Sequence, residues 1–217
     1  MNAFILNLAM TLLIFLELIV KFYVMTAHAR PTDAPQPAQR LQIALTGGMF
    51  ITWQILCGLQ LLTPILTPWT IFYPEILRWI GVGLWFSSII LLYIASKNLG
   101  ANWALVPVIK QDQTLTQTGL YRWIRHPMYL AYFISSIGFA LTAANAITSL
   151  SLFLPTLFIY CSRIQKEEAL LLEKFGEPYR HYMERTGRIF PRLNFKIRSA
   201  PRSRLLPAVK SKNGSTA

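Results

Sequence analysis

The strongest constraint on this chain is a succession of apolar runs, each near the length that crosses a bilayer. The first, Phe4 to Val20, carries a single charge, Glu17, and implies a helix from about residue 3 to 25. A segment in lipid must satisfy its backbone hydrogen bonds internally, so such runs specify helices. Composition agrees: 217 residues, 53% hydrophobic and 14% charged, against about 25% charged in a soluble domain, with a mean hydropathy of +0.40. The expected fold is all-α, a polytopic integral membrane helix bundle of about five transmembrane helices with a cytosolic C-terminal cap. Residues 1–198 read as one membrane domain and 199–217 as a disordered basic tail rich in Ser, Pro, Gly and Lys.

The net charge of +12 is concentrated: Arg163 to Lys212 holds 13 of the 21 basic residues. An anionic membrane surface accounts for that bias, and a lipid-soluble chain argues against a nucleic-acid partner. Cys57 and Cys161 stand apart in apolar contexts, as core residues rather than ligands or a disulfide. Ala27-His28-Ala29 imitates a signal-peptidase site, but no basic residue precedes the apolar run, so an uncleaved first helix is expected.

Glu17 and Lys21 lie four apart and share a face; they read as a helix-stabilising pair near the interface. A proline-rich loop, HARPTDAPQPAQR, precedes a second helix from about Ile43 to Ile65, opened by Gly47 and Gly48. Pro64, Pro68 and Pro74 bracket an aromatic turn with Trp69, Phe72 and Tyr73. A third helix covers about Glu75 to Ser96, with Gly81 and Gly83 allowing close approach. Residues 97–123 are too polar to span and read as a folded cover at the membrane surface. Met128 to Thr142 and Ile147 to Ser162 then form a hairpin whose second arm continues as the cytosolic helix Arg163 to Phe175, stopped at Gly176. Lys and Arg crowd the loops after helices one and three and the tail, which puts the N-terminus outside and the C-terminus in the cytoplasm.

Two polar clusters interrupt this pattern, GLYRWIRHPMY from Gly119 to Tyr129 and RIQKEE from Arg163 to Glu168. Polar groups at a membrane face are costly without partners, so the two are expected to build one site. There is no GxGxxG, P-loop, HExxH or GxSxG pattern, and three histidines do not make a histidine-rich metal site. His126, ahead of Pro127, is pushed out of the helical region and so sits at the start of helix four. Beside that helix N-terminus Arg125 is suited to a carboxylate or phosphate; two readings stand, a lipid-headgroup anchor and a bound anionic ligand. Glu167 and Glu168 read either as a solvated ladder with Arg163 or as one glutamate turned inward toward a ligand ammonium. Tyr179, Tyr182, Arg185 and Arg188, three apart, mark one aromatic and basic face, which suits a pocket wall or an amphipathic helix on anionic lipid.

LGANW at Leu99 to Trp103, the Gly119 to Tyr129 segment, and RIQKEEALLLEKFGEPYRHYMERTGRIFP at Arg163 to Pro191 together resemble the isoprenylcysteine carboxyl methyltransferase family and its phospholipid methyltransferase relatives. The resemblance implies a membrane methyltransferase domain with a core at about 76–191 and S-adenosylmethionine as donor. It further implies Arg125, Glu168 and Arg188 as the catalytic set. Gln113, Leu115, Gly119, Tyr121, Arg125, His126, Pro127, Tyr129, Glu167, Tyr179 and Tyr182 fall on the donor site. Gln113 stands where many relatives have histidine, an exchange that keeps a hydrogen bond and loses a charge. The implied acceptor is a prenylated cysteine carboxylate or another lipophilic small molecule, with a phospholipid amine or a small thiol as alternatives and membrane lipids as surroundings. Competing classes are a sterol-reductase-like enzyme, a membrane adaptor and a transporter; no repeated segment supports the last. Nothing in the sequence sets an oligomeric state.

Overall fold

The computed structural model describes residues 2–28, 37–108, 110 and 112–192. The expected tail at 199–217 and residues 29–36 of the proline-rich loop lie outside them. Six α-helices follow in chain order: α1 (Asn2–His28), α2 (Pro37–Leu62), α3 (Glu75–Leu99), α4 (Pro127–Ala143), α5 (Ala146–Phe175) and α6 (Glu177–Arg185). Short 3-10 turns occupy Pro64–Trp69, Gly100–Asn102 and Gly119–Arg122. Among the described residues strand pairing is limited to two isolated bridges, Thr70 with Asn145 and Ile124 with Gly187.

α1, α2, α3 and α5 are long and apolar enough to cross a membrane, and α4 is a shorter apolar helix of 17 residues. Phe15, Phe22, Ile55, Ile76, Leu154 and Phe158 are all exposed on the outside of the bundle, an arrangement that suits lipid and not water. The protein is therefore a multi-pass integral membrane protein. At about 1.5 Å per residue, the 30 residues of α5 outreach the roughly 30 Å hydrocarbon layer. Its charged second half is a direct continuation of its apolar first half, through Pro155.

The bundle closes around aromatic rings. Phe139 of α4 meets Trp53 of α2 and Trp85 of α3 edge to face, at 5.2 and 5.1 Å between centroids, and Met10, Leu13, Cys57, Ile89 and Ala143 complete the cluster. α3 and α4 touch at backbone distance because glycines face each other. A Cβ on Gly138 would stand 2.5 Å from Trp85 N, and one on Gly81 2.8 Å from Gly138 O. Gly83 does not take part as expected, since the space beyond it is open; two residues on from Gly81, about 200° around the helix, it faces away from the partner. Gly47 and Gly48 do not open α2 but lie inside it, with nothing near either.

α2 begins at Pro37, six residues earlier than expected, because proline at a first helical position lacks only an N–H that would have no partner there. It ends at Leu62, three residues before the expected Ile65. Thr63 ends it, its hydroxyl accepting from Ile65 N as Pro64 starts the next turn. Between α4 and α5 the chain reverses in two residues. Ala144 takes a left-handed conformation (φ 50°), and Asn145 caps α5 by accepting from Ile147 N and Thr148 N at 3.1 and 3.3 Å. The Asn145 amide also donates to Leu66 O at 2.8 Å, pinning the reversal to the turn after α2.

Candidate active site

The Gly119–Tyr129 segment is shaped by backbone before any side chain acts. Gly119 has φ +59°, and a Cβ there would fall 2.2 Å from Asn98 Oδ1, so only glycine lets the turn sit on the end of α3. Leu120 N donates to that same Asn98 oxygen at 3.0 Å. Downstream, Arg125 N donates to Gly187 O and His126 N to Arg188 O, at 2.9 and 3.0 Å. The stretch after α6 thus pairs with the stretch before α4. Gly187 is crowded in this pairing, since a Cβ on it would lie 1.6 Å from Phe190 O. His126 lies outside the helical region (φ −127°, ψ 61°) and immediately precedes α4, with Pro127 at its first position, in keeping with its place before proline.

The two polar clusters meet as expected. Arg125 donates through Nε to Glu168 Oε1 at 3.0 Å, and through one terminal nitrogen to Met183 O and Thr186 O at 3.0 and 2.5 Å. Arg188 donates to the other oxygen of Glu168, and His126 Nε2 lies 3.4 Å from Oε1. Arg125 is only 9% exposed and Glu168 6%, so each supplies what the other's burial demands. Glu167, the adjacent residue on the same helix, is the more open one. It accepts from the Tyr129 hydroxyl at 2.8 Å, with Arg163 at 3.5 Å and His126 Nδ1 at 3.7 Å.

A cavity of about 590 Å³ begins beneath these groups and runs between the helices. Gln113, Leu115, Tyr121, Arg125, His126, Tyr129, Glu167, Tyr179 and Tyr182 all line it. Gly119, Pro127, Glu168 and Arg188 do not, and instead hold the lining in place: Gly119 against α3, Pro127 inside the start of α4, and Glu168 between Arg125 and Arg188. The expected Tyr179–Arg188 face divides. α6 ends at Arg185 because Thr186 is extended (φ −116°, ψ 148°), so Arg188 leaves the helix and turns back to Glu168. Tyr179 and Tyr182 are buried, while Arg185 is exposed and donates to His181 O.

Burial pushes the Tyr182 phenol up to about 12 and that of Tyr179 upward as well, so both stay protonated near neutral pH. Tyr182 donates to Tyr121 O at 2.6 Å. Tyr179 Oη has no partner among the described residues, nor has Arg163 Nε; both residues line the cavity. Two unpaired buried groups beside one carboxylate, Glu167, suit a ligand carrying both signs of charge.

Several contributors were not singled out from the sequence. Arg163 was read only as a partner for Glu167, yet its terminal nitrogen donates to Leu105 O at 2.7 Å and ties residues 100–108 to α5. Lys110 donates to Ala101 O and Trp103 O, at 2.9 and 2.6 Å, and Asn102 to the Thr114 and Thr116 hydroxyls. These bonds fold the polar segment over the cavity. Their only signal was a polar stretch of this length with Trp and Leu in it.

The fold and site define a class: a membrane helix bundle whose interior cavity ends under a buried arginine, histidine, glutamate and tyrosine cluster. Residues 80–173 match the profile of the isoprenylcysteine carboxyl methyltransferase (ICMT) family. It is 38% identical over 72 residues to human protein-S-isoprenylcysteine O-methyltransferase, covering 33% of this chain and 25% of that protein. Its identity to the Saccharomyces cerevisiae protein of the same name is 39% over 79 residues, 36% of this chain and 33% of that one. To that of Xenopus laevis it is 31% over 123 residues, 54% and 43%. The chain spans less than half the length of these relatives. A solved structure described as the eukaryotic intramembrane Ras methyltransferase ICMT aligns with a TM-score of 0.49 and 24% identity, over 73% of this chain and 54% of that one.

Proposed function

We propose that the protein is an S-adenosylmethionine-dependent methyltransferase acting on a lipophilic acceptor, with a prenylated cysteine carboxylate as the leading class. The observation that carries this is the continuous cavity, apolar along the bundle and polar beneath Tyr129, Glu167 and Tyr179. An amphiphile can keep its tail among the helices there while its head meets a small charged ligand. The residues present fit that donor: Glu167 is the carboxylate left open for its ammonium, and Arg163 Nε and Tyr179 Oη are the unpaired groups for its carboxylate and other polar edges. When bound, the donor supplies an activated methyl group on a sulfonium. The chain's own part is to bind, orient and exclude water. Glu168, Arg125 and Arg188 hold the segment before α4 against the segment after α6, and α6 with residues 100–108 and 112–116 covers the site. A carboxylate acceptor needs no base, and the protonated tyrosines offer none.

The same reading includes five crossings, α4 being the fifth, with the N-terminus outside, the C-terminus cytoplasmic and α6 in a cytosolic cap. Lysine and arginine are sparse where α2 meets α3 and α4 meets α5, and dense at the opposite ends, which supports that orientation. Residues 1–198 then form one domain. The donor assignment is tested by calorimetry with S-adenosylhomocysteine on protein in lipid discs. Saturable binding that weakens by about 1.5–3 kcal/mol in Glu167→Gln is expected. No binding by the wild type would overturn the reading.

A further inference from the structure

Away from the donor end, the cavity reaches a second polar cluster, whose Glu17 and Lys21 on α1 and Trp53 on α2 lie outside the segment 80–173 that matches the family. Glu17, 3% exposed, accepts from Trp85 Nε1 at 2.7 Å and from the Lys21 ammonium at 2.8 Å, and Ser135 Oγ lies 3.4 Å away. Both of its oxygens are in use. Lys21 is different: Glu17 is its one oxygen partner, and its ammonium otherwise lies over the rings of Phe50, Trp53 and Tyr132, at 4.6, 5.6 and 5.8 Å. Two of its three N–H groups therefore have no oxygen or nitrogen acceptor among the described residues. Aromatic faces stabilise a desolvated ammonium without using up its hydrogen bonds. Next to it Trp53, 1% exposed, holds a buried indole N–H with no partner. Lys21, Trp53 and Tyr132 all line the cavity.

A helix-stabilising pair accounts for one N–H of Lys21, a half-buried ammonium facing the cavity, and leaves the fully buried Trp53 N–H beside it unexplained. We infer that Lys21 and Trp53 Nε1 form an anion subsite that receives the carboxylate of the acceptor, with Glu17 as the residue that positions the ammonium. Tyr129, Tyr132 and Ser135 stand on successive turns of α4, about 4.5 Å apart along its axis. Tyr132, whose ring lies 5.8 Å from the Lys21 ammonium, is thus one turn from Tyr129 and the donor end. The cation opposes an acceptor with an ammonium head, so the subsite sorts carboxylates from amines. The assignment rests on the methyltransferase reading for its acceptor, and on the cavity alone for its ligand chemistry.

The test is binding without turnover. Full-length protein in lipid discs, saturated with S-adenosylhomocysteine, is titrated with N-acetyl-S-farnesylcysteine, with the carboxamide of the same molecule, and with oleate. The wild type should prefer the carboxylate to the carboxamide by about ten- to a hundredfold, the worth of a hydrogen bond to a charged group. The preference should vanish in the double variant Lys21→Met, Glu17→Gln, which removes both charges together, and survive in Lys21→Arg. In protein labelled with 15N-tryptophan, the Trp53 indole resonance, assigned with Trp53→Phe, should shift with the carboxylate and not with the carboxamide. That readout needs no folded Lys21 variant. Equal affinity for the two compounds, a preference that persists in the double variant, or an unmoved Trp53 resonance would each overturn the subsite. Equal Lys21-dependent binding of oleate would make it a lipid site and overturn the acceptor assignment. Absence of methyl transfer with the preference intact would overturn the reaction and leave the subsite standing.

Discussion

Glu168 is held by two arginines and a histidine drawn from either side of the bundle's polar end, and this one carboxylate joins the turn before α4 to the turn after α6. Replacing it with glutamine leaves Arg125 buried with carbonyl partners only. Glu168→Gln should destabilise the protein by about 3–5 kcal/mol, the range for breaking a buried pair. Thermal unfolding in detergent measures it. Glu167→Gln, at a partly open carboxylate, should change stability by no more than about 1 kcal/mol while weakening donor binding. A large loss of stability there would contradict its role as the open glutamate. Both polar clusters were legible in the sequence, because charges beside apolar runs need partners. Which arginine is used up by which glutamate was not, since Arg125 and Glu168 are 43 residues apart and their meeting depends on how α6 returns. Lys21 shows the same limit: its spacing from Glu17 was plain, but not the rings over it, which come from α2 and α4.

At the scale of elements, α3 and α4 are the pair packed most closely, through Gly81 and Gly138. Gly138→Ala places a methyl 2.5 Å from Trp85 N and should destabilise by about 1–3 kcal/mol through overpacking. Gly83→Ala, facing open space, should stay within about 0.5 kcal/mol of wild type. Equal effects on unfolding would mean that the helices do not cross at Gly138. Gly187→Ala should reduce donor binding without touching the cavity, since its Cβ meets the Phe190 carbonyl and parts the pairing with Trp123 to His126. The stop at Gly176 was legible because glycine there has φ +56°, a conformation that ends helices. The early start of α2 was hidden by its polar first turns, and the need for Gly187 by a backbone contact that no local pattern announces.

For the molecule as a whole, single cysteines replacing exposed Thr67 and Glu177, in a background with Cys57 and Cys161 changed to serine, should react with an impermeant reagent from opposite sides of the membrane. Labelling from one side would contradict the five-crossing arrangement. The class of molecule was legible from apolar runs and charge asymmetry, whereas the cavity was not, because it is the space left between α1, α2, α4 and α5 and belongs to no single segment. The central claim is that this space carries an amphiphile to an activated methyl group. It is tested most directly by giving purified protein in lipid discs methyl-labelled S-adenosylmethionine with N-acetyl-S-farnesylcysteine, phosphatidylethanolamine or a small thiol, and treating the products with mild base. Label should enter the farnesylated compound fastest and leave it as methanol, as a carboxyl methyl ester does. Label only in a base-stable product would contradict the carboxylate acceptor, and no label in any of the three would contradict the methyltransferase itself.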